Sequence, residues 1–468
     1  MIKDGETGFI KGVNMKICLV YPNQMKLPKF FEKGSILQEP LLLPPLGMLY
    51  ILSNNSVEMD FLDNRVHGYN REQLSAILRK YELVGFGGTI FEVEEAIDMS
   101  QRLRKEGITT LYGGPNATVN WELYCQYFDI VARGEGEGLL DEIVENFNNL
   151  SKVKGLVYKE NGGTRINEPI PLIENLDTLK FPAREKVNLS DYARHEEAYT
   201  KKQPVDTIVN SRGCPYDCYF CSSKWIWSRK YRYRSPDNVI EEMVFMREKF
   251  KTKVFYFRED NFTAHRKRLL EFCEKVKNLD MPWLCESRTD TLDAELLKKM
   301  KEANCVAIWF GIESCNQKTL NLIKKEIDLE TSQEILAECK KIGIKTGGSF
   351  MLGFPHETKE DMLWTGRKSK QLGLNYVSYN RVWAIPKSEM YSLIKEEKLN
   401  EYEQANIVIP RTRHVSADEV TDIYYKIAHP LLTRMLLKLL SKFPRRVRKK
   451  IINASFSKKI YLLLKRFG

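Results

Sequence analysis

The chain has 468 residues, of which 43% are hydrophobic, and a formal net charge of +11. This length allows two or three domains with separate cores, and the sequence contains no apolar run of about 20 residues that would predict a membrane-spanning helix. Residues 1–14 lack the apolar core of a signal peptide, so we expect them to be a disordered extension of a cytoplasmic protein.

The positive charge is concentrated near the C-terminus. Residues 429–468 contain twelve Lys or Arg and no Asp or Glu, which leaves residues 1–428 with a net charge of −1. The body of the protein therefore lacks the excess of basic residues that is typical of nucleic-acid-binding proteins, and we expect no nucleic-acid partner.

Residues 15–150 alternate short apolar strands with helical segments. This order predicts an α/β fold with a doubly wound, Rossmann-like parallel sheet, whose ligand crevice lies at the carboxyl ends of the strands. The predicted strands are 16–21, 57–62, 83–88, 109–113 and 129–132, and the predicted helices are 47–53, 72–80, 92–105 and 139–148. Glycine-containing loops, through which backbone can approach a ligand closely, fall at strand ends or helix starts in residues 43–47, 113–118 and 133–137.

The rest of the chain changes character twice. Residues 151–204 predict a β-hairpin around Asn161-Gly162-Gly163, followed by an extended connector. Residues 205–387 return to alternating strands and helices, and six β/α units predict a partial (β/α)6 barrel with its chemistry at the strand C-termini. Residues 388–468 are predicted to be mainly helical.

Cys214, Cys218 and Cys221 form a C-x3-C-x2-C motif just after the first predicted barrel strand. Thiolates are the usual ligands of iron–sulfur clusters, and three of them leave one iron of a cubane open to another ligand. A zinc site would need a fourth ligand nearby, whereas the next histidine is His265. The other cysteines are isolated and are expected to be small buried hydrophobes: Cys18, Cys125, Cys273, Cys285, Cys305, Cys315 and Cys339.

The cysteine spacing resembles the signature of the radical S-adenosylmethionine (SAM) superfamily. The resemblance implies a [4Fe-4S] cluster on Cys214, Cys218 and Cys221, with SAM bound to the open iron. It also implies one-electron cleavage of SAM to methionine and a 5′-deoxyadenosyl radical, with a flavodoxin or a ferredoxin as the electron donor.

The same resemblance suggests SAM contacts at the strand ends of the barrel. Phe220 matches an aromatic position near the adenine, and Glu259 or Asp260 matches an acidic position for the amino group. Arg288 matches a basic position for the carboxylate, and Glu313 at the end of the fourth strand is a further candidate. Each charged residue is also compatible with an ion pair at the barrel rim.

The order of a doubly wound domain, a connector and a barrel resembles the cobalamin-binding subgroup, often called class B radical SAM methylases. The loop pattern of that subgroup is matched in order, which implies cobalamin contacts by Pro45, Gly47, Gly113, Gly114, Pro115, Gly134, Glu135 and Gly136. Residues 63–68 read DNRVHG and lack the D-x-H-x-x-G spacing that supplies an axial histidine. His67 is therefore predicted to be a surface loop residue. The alternative for this domain is a Rossmann-like module that binds no cofactor or only helps to hold substrate.

The subgroup implies methylation of an unactivated carbon through the 5′-deoxyadenosyl radical and methylcobalamin. Ring closure or rearrangement without methyl transfer is the main alternative. A methylthiotransferase would have three more N-terminal cysteines, whereas that region contains only Cys18 and Cys125. A non-enzymatic, membrane-tethered cluster protein is the remaining alternative.

The substrate is expected to be a small or lipid-like molecule that the sequence does not identify. After the sixth strand, where the superfamily commonly has Pro-Gly-Thr, residues 386–389 read PKSE, and this departure concerns the substrate side of the barrel.

The basic C-terminal segment, residues 429–468, has two interpretations. Apolar and basic side chains recur on different helical faces from Pro430 to Phe443. An interfacial helix would place the enzyme peripherally on anionic lipid at the inner face of the membrane. Alternatively, a helical cap would pack its apolar face on the barrel and leave its charges in solvent.

Overall fold

The computed structural model describes residues 15–23, 42–194, 200–404 and 407–429, which divide into two compact units. Of these residues, Pro44–Glu174 and Thr178–Tyr192 form the first unit together with the N-terminal strand. The second unit contains Asn175–Asp177 and the described residues from Ala193 onward. The predicted extension at 1–14 and the basic segment from 430 to 468 lie outside the described residues.

The first unit is built on a seven-stranded sheet with the order β2-β1-β3-β4-β5-β6-β7. Strands β1 to β5 are parallel, and their order, 2-1-3-4-5, is one of the two common orders of doubly wound sheets. Strands β6 and β7 are the predicted hairpin, which extends this sheet through antiparallel pairing with β5. The strands are β1 (Ile17–Tyr21), β2 (Met59–Asp63), β3 (Leu83–Phe86), β4 (Thr109–Tyr112), β5 (Ile130–Ala132), β6 (Leu156–Glu160) and β7 (Gly163–Ile166).

The central strands of this sheet are buried along their whole length. All four residues of β3 and the first four of β1 are buried, as expected for parallel strands that are covered on both faces. Leu19 of β1 lies between Phe61 of β2 and Gly85 of β3 in the register. The helices of this unit are α1 (Leu46–Asn54), α2 (Asn64–His67), α3 (Arg71–Leu78), α4 (Val93–Lys105), α5 (Pro115–Tyr124) and α6 (Leu139–Glu145).

The second unit is built on a curled, six-stranded parallel sheet. Its strands follow one another in chain order, so the sheet has the order β15-β14-β13-β12-β11-β8 and forms a half-barrel. The prediction of six β/α units is confirmed. The strands are β8 (Val205–Ile208), β11 (Val254–Phe257), β12 (Trp283–Ser287), β13 (Cys305–Glu313), β14 (Lys345–Leu352) and β15 (Tyr376–Arg381).

An aromatic cluster forms the core between this sheet and its helices. Phe257, Phe262, Phe272 and Trp283 contact one another at ring-centroid distances of 4.4–5.9 Å. The helices are α7 (Ser223–Trp227), α8 (Pro236–Phe250), α9 (Arg266–Val276), α10 (Ala294–Glu302), α11 (Gln317–Leu322), α12 (Leu329–Ile342), α13 (Lys359–Lys368), α14 (Glu389–Glu396) and α15 (Ala417–Ala428).

Two short antiparallel ribbons complete the second unit. One pairs β9 (Ser211–Arg212) with β10 (Arg232–Tyr233), and the other pairs β16 (Asn400–Gln404) with β17 (Ile407–Pro410). The second ribbon lies between the two helices of a region that was predicted to be mainly helical, and the sequence analysis did not predict it. Val408 is fully buried and its backbone pairs with Ala384, so tertiary pairing decides the conformation of this segment.

Six of the seven isolated cysteines are buried, as predicted. Cys125 is the exception, because it caps the C-terminus of α5 and is partly exposed. No helix among the described residues is both long enough and apolar enough to cross a membrane.

Candidate active site

The three clustered cysteines lie on residues 213–231, which connect β9 to β10 and which we call the cluster loop. Ser211 pairs with Tyr233 and Arg212 with Arg232, so both ends of the loop meet at the carboxyl end of β8. Gly213 has φ +93°, and a Cβ at this position would lie 2.0 Å from the Lys230 carbonyl oxygen. Only glycine therefore allows the two ends of the loop to approach so closely.

The thiols of the cluster loop are partly exposed and unoxidised. The Cys221 sulfur accepts a hydrogen bond from the Ser223 N–H at 3.4 Å, and the Cys218 sulfur accepts one from Arg288 Nη1 at 3.6 Å. Burial raises the pKa of Cys214 and raises that of Cys221 to about 12. A bound positive centre would favour the ionised form of these thiols, which is how metal ions and clusters deprotonate cysteine.

The described ranges contain no group of three or more Cys, His, Asp or Glu side chains arranged to hold a single metal ion. In a cubane each thiolate binds a different iron. The three thiols of the cluster loop are therefore candidate ligands of a cluster.

Ion pairs fasten the cluster loop to the start of α14, the helix that follows the last barrel strand. Lys224 of α7 lies 2.8 Å from Asp217 and 2.9 Å from Glu389, the first residue of α14. Lys324 lies 2.6 Å from the other oxygen of Glu389. Hydrogen bonds from Lys324 and Lys224 lower the pKa of Glu389, and the bond from Lys224 lowers that of Asp217. The unusual sequence at 386–389 therefore supplies an anchor for the loop.

Phe220 rests on the turn that follows β14. Its ring lies 5.9 Å from that of Phe354, which in turn stacks on His356. The N–H groups of Gly353 and Phe354 both donate to one carboxylate oxygen of Glu357, at 2.8 and 3.0 Å. Glu357 is fully buried, and burial raises its pKa to about 8. The turn is thus a rigid support beneath Phe220.

Arg288 lies directly against the cluster loop. Its Nε and Nη2 donate to Asp290 at 2.9 and 2.8 Å, and Nη2 also donates to the Lys325 carbonyl. Its guanidinium stacks on the Tyr216 ring at 3.6 Å from the centroid. Nη1, which contacts Cys218, is the nitrogen that Asp290 does not hold.

The two neighbouring carboxylates at the end of β11 differ in their surroundings. Glu259 is buried, and its oxygens accept hydrogen bonds from the N–H groups of Asn210 and Ser211 and from the Asn210 side chain, at 2.6–3.1 Å. Asp260 is exposed and accepts a hydrogen bond from the Ser223 hydroxyl beside Cys221 at 3.0 Å. Asp260 therefore faces the cluster loop with its carboxylate accessible, whereas Glu259 holds the start of that loop.

Glu313, the remaining candidate for a SAM contact, forms a buried ion pair with Lys325 at 3.2 Å. Its φ of +69° is unusual for a residue with a side chain and marks a strained strand end. The structure thus brings Phe220, Asp260 and Arg288 to the cluster loop or its support, and it places Glu259 and Glu313 in hydrogen-bonded pairs within the protein.

The predicted cofactor loops of the first unit follow the carboxyl ends of their strands. Pro45 precedes α1 and Gly47 lies in its first turn, Gly113-Gly114 connects β4 to Pro115 at the start of α5, and residues 134–136 follow β5. The Glu135 carboxylate accepts a hydrogen bond from the Ile173 N–H at 2.7 Å, so it also fastens the connector.

His67 is exposed at the end of α2, where its ring stacks on Tyr69. The exposure agrees with the sequence prediction, although the residue ends a short helix and not a loop. Asp63, the first residue of the same motif, accepts hydrogen bonds from Arg65 and from the Tyr192 hydroxyl. These hydrogen bonds hold Asp63, at the start of residues 63–68, in place within the protein.

A further loop in the first unit was missed from sequence. Gly87, Gly88 and Thr89 follow β3, which neighbours β1 where the strand order reverses. The buried Glu92 carboxylate accepts hydrogen bonds from the N–H and hydroxyl of Thr89, at 2.7 and 2.6 Å. Doubly wound sheets bind ligands at such a reversal. Gly87 and Gly88 are compatible with a loop, but the sequence prediction includes them in a strand at 83–88.

Comparison with known proteins agrees with this geometry. Residues 208–367, which contain the cluster loop and the second to fifth barrel strands, match the model of the radical SAM superfamily. These residues form a radical SAM domain. The superfamily predicted from the cysteine spacing is therefore confirmed.

Relatives and solved structures extend the similarity of this chain beyond the barrel. An uncharacterized methyltransferase of Pyrococcus horikoshii is 29% identical over 84% of this chain and 89% of its own length. The anaerobic magnesium-protoporphyrin IX monomethyl ester cyclase of Rubrivivax gelatinosus is 25% identical over 77% of this chain and 67% of its own. The fold is similar to that of the radical SAM methyltransferase TsrM from Kitasatospora setae, solved with cobalamin and a [4Fe-4S] cluster, with a TM-score of 0.67, 15% identity and coverage of 88% and 85%.

Proposed function

We propose that this radical SAM enzyme depends on cobalamin and transfers a methyl group to an unactivated carbon of a small or lipid-like molecule. The proposal rests on one observation. The chain contains two sheets, and each has an edge, at the carboxyl ends of its strands, that is suited to binding a ligand. One is the thiol-bearing edge of the half-barrel, and the other is the glycine-rich edge of a doubly wound sheet. The methyltransferase names of relatives and the similarity to TsrM support the same reaction class.

In this proposal, Cys214, Cys218 and Cys221 bind three irons of a [4Fe-4S] cluster and SAM binds the fourth. Asp260 is the better of the two carboxylates for the SAM amino group, because Glu259 is already committed to backbone N–H groups. Arg288 Nη1 is proposed for the SAM carboxylate, and its orientation is fixed by Asp290.

Phe220 is proposed to pack against the adenine, supported from behind by Phe354. Glu313 is proposed to act through its ion pair with Lys325, whose carbonyl accepts a hydrogen bond from Arg288. It therefore supports the SAM-binding side of the barrel without contacting SAM. A one-electron donor such as a flavodoxin or ferredoxin is the proposed redox partner.

In the first unit, the loops at Pro45–Gly47, Gly113–Pro115 and residues 134–136 are proposed to contact cobalamin, together with Gly87–Thr89. Glycines in three of these regions suit close approach to a bulky ligand. Gly88 has φ +139° and Gly114 has φ +100°, and a Cβ at Gly47 would meet nothing within 4 Å. When bound, the cluster and SAM supply the radical and cobalamin carries the methyl group.

Ring closure is the second candidate, because a curated cyclase is among the relatives. The products derived from SAM discriminate the two reactions. Methyl transfer with radical chemistry should release S-adenosylhomocysteine and 5′-deoxyadenosine in about equal amounts, whereas ring closure should release 5′-deoxyadenosine alone. Incubating the anaerobic holoenzyme with methyl-labelled SAM and a metabolite extract of the source cells tests this, and label in a new product would support methylation. Turnover without S-adenosylhomocysteine would favour ring closure.

A further inference from the structure

A buried arginine lies in the first turn of α9, the helix whose capping residue His265 contacts Tyr233 beside the cluster loop. Arg268 projects from α9 and is 2% exposed, with its guanidinium near the rings of Phe262 (4.9 Å) and Phe272 (5.7 Å). None of its three side-chain nitrogens has a hydrogen-bond partner among the described residues. A buried guanidinium normally satisfies its N–H groups, because removing them from water without replacement is strongly unfavourable.

Four of the other buried polar atoms that lack a partner in the described part of the chain lie on residues 210–211, 231 and 261. They are the Tyr231 hydroxyl, the Ser211 hydroxyl, Asn210 Oδ1 and Asn261 Nδ2. Tyr231 ends the cluster loop, and Ser211 lies just before it. The Tyr231 ring lies 5.9 Å from that of Tyr233, which lies 4.7 Å from the ring of His265 at the start of α9. These contacts bring the first turn of α9, with Arg268, to the end of the cluster loop.

Glu259 supplies the opposite charge in this region without contacting Arg268 directly in the described structure. Its carboxylate is bound to the N–H groups of Asn210 and Ser211, at the start of the cluster loop. The region therefore contains a guanidinium, a carboxylate, two hydroxyls and two side-chain amides. Such a set is well suited to internal water, which usually makes two to four hydrogen bonds to buried polar groups.

We propose that Arg268 is a positioning residue for the cluster loop, joined to Glu259, Tyr231 and Ser211 through ordered internal water. The inference rests on the proposed function, since it assumes that the three thiols of the loop hold a cluster. The water-bridged pair fixes both ends of the loop relative to β11 and α9. Partners that support metal ligands in this way change metal affinity or activity by about 10–100-fold when they are removed.

The test compares four variants of the full-length chain after anaerobic reconstitution. Arg268→Met removes the donors but keeps an apolar chain between the two phenylalanines, and Arg268→Lys restores a cation. Tyr231→Phe removes one hydroxyl. Arg266→Met is the matched control, because Arg266 lies two residues away on the same helix and forms exposed ion pairs with Asp293 and Glu295. The readouts are iron per chain, the apparent Kd for SAM from the change in the electron paramagnetic resonance of the reduced cluster, and thermal unfolding of the apo chain.

Arg268→Met should weaken the apparent SAM affinity by about 10-fold or lower the iron content, with partial rescue by Arg268→Lys. Tyr231→Phe should change the same readouts in the same direction but less, and Arg266→Met should match wild type. If Arg268→Met fails to fold, Tyr231→Phe and Arg268→Lys decide. Wild-type cluster content and SAM response in those variants would overturn the inference. A wild-type chain that binds no cluster would instead overturn the proposed function, so the two failures are distinguishable.

Discussion

Arg288 Nη1 lies 3.6 Å from the sulfur of Cys218, while Nε and Nη2 of the same guanidinium are held by Asp290. One side chain thus links the end of the third barrel strand to the middle of the cluster loop. The stack on Tyr216 fixes the plane of the guanidinium. This arrangement of contacts depends on the planar, forked shape of the guanidinium group, which lysine lacks.

Arg288→Lys should therefore weaken SAM binding by about 10-fold or more while the apo chain remains folded. The measurement is the SAM-dependent change in the spectrum of the reduced cluster, titrated in both proteins. Arg258→Lys is the matched control. Arg258 also follows a barrel strand, but it is half-exposed and its ion pair with Glu286 is long, at 3.7 Å. Equal affinities in wild type and Arg288→Lys would contradict the assignment.

Glu389→Gln should loosen the anchor between α14 and the cluster loop. The Lys324 and Lys224 hydrogen bonds hold the pKa of Glu389 below its usual value of 4.5, so the ionised form stabilises the folded state. This contribution is present above about pH 4.5 and is lost as the pH falls through the lowered pKa. Thermal unfolding of the apo chains should show a lower Tm for Glu389→Gln at pH 7, and the difference should shrink in acid. A constant difference across that range would argue against the ion pairs as its source.

Glu357→Gln should have the opposite dependence on pH. Burial raises the pKa of Glu357 to about 8, so folding favours the protonated carboxyl and the wild-type chain loses stability between about pH 4.5 and pH 8. A glutamine oxygen can accept the same two N–H bonds without this cost. The variant should match wild type at pH 5 and unfold at least about 2 °C higher at pH 9. Glu357→Ala, which loses both bonds, should be less stable at both pH values. A Glu357→Gln variant less stable than wild type at pH 9 would show that the fold stabilises the ionised carboxylate and would contradict the raised pKa.

Gly47→Val tests the proposed cobalamin edge. A Cβ at Gly47 would meet nothing within 4 Å, so valine should leave the stability of the apo chain nearly unchanged. If this part of α1 lies against cobalamin, the added side chain should reduce the corrinoid bound per chain, measured by absorption after reconstitution. Gly163→Val is the control, because Gly163 lies in the exposed hairpin of the same unit and has ordinary room for a Cβ. Full corrinoid binding by Gly47→Val would remove this residue from the proposed site.

The sequence predicted the strands of both sheets because their signals are local. Runs such as Ile17–Tyr21 and Val254–Phe257 have the apolar character of buried parallel strands. The helix Pro115–Tyr124 was missed although Pro115 stands at its first position, where proline is favoured. The ribbon of β16 and β17 could not be predicted, since it depends on pairing with Ala384.

The sequence was sufficient to predict the cysteine ligands of the candidate site. It was not sufficient to predict the residues that hold the cluster loop in place. The cysteine spacing identifies the cluster loop, yet nothing local shows that Glu389 anchors it, because the partners Lys224 and Lys324 are distant in sequence. Glu259 and Asp260 could not be distinguished either. Adjacent residues at a strand end point in different directions, and only the fold shows which carboxylate meets the backbone of Asn210.

The most direct test of the account is the production of 5′-deoxyadenosine from SAM by the anaerobically reconstituted chain and its Cys218→Ala variant. Wild-type protein should bind about four irons and cleave SAM when a one-electron reductant is added. Cys218→Ala should form no 5′-deoxyadenosine, whereas Cys125→Ala, which changes a partly exposed thiol outside the cluster loop, should retain full cleavage. Full cleavage of SAM by Cys218→Ala would contradict the assignment of the cluster loop and, with it, the proposed function.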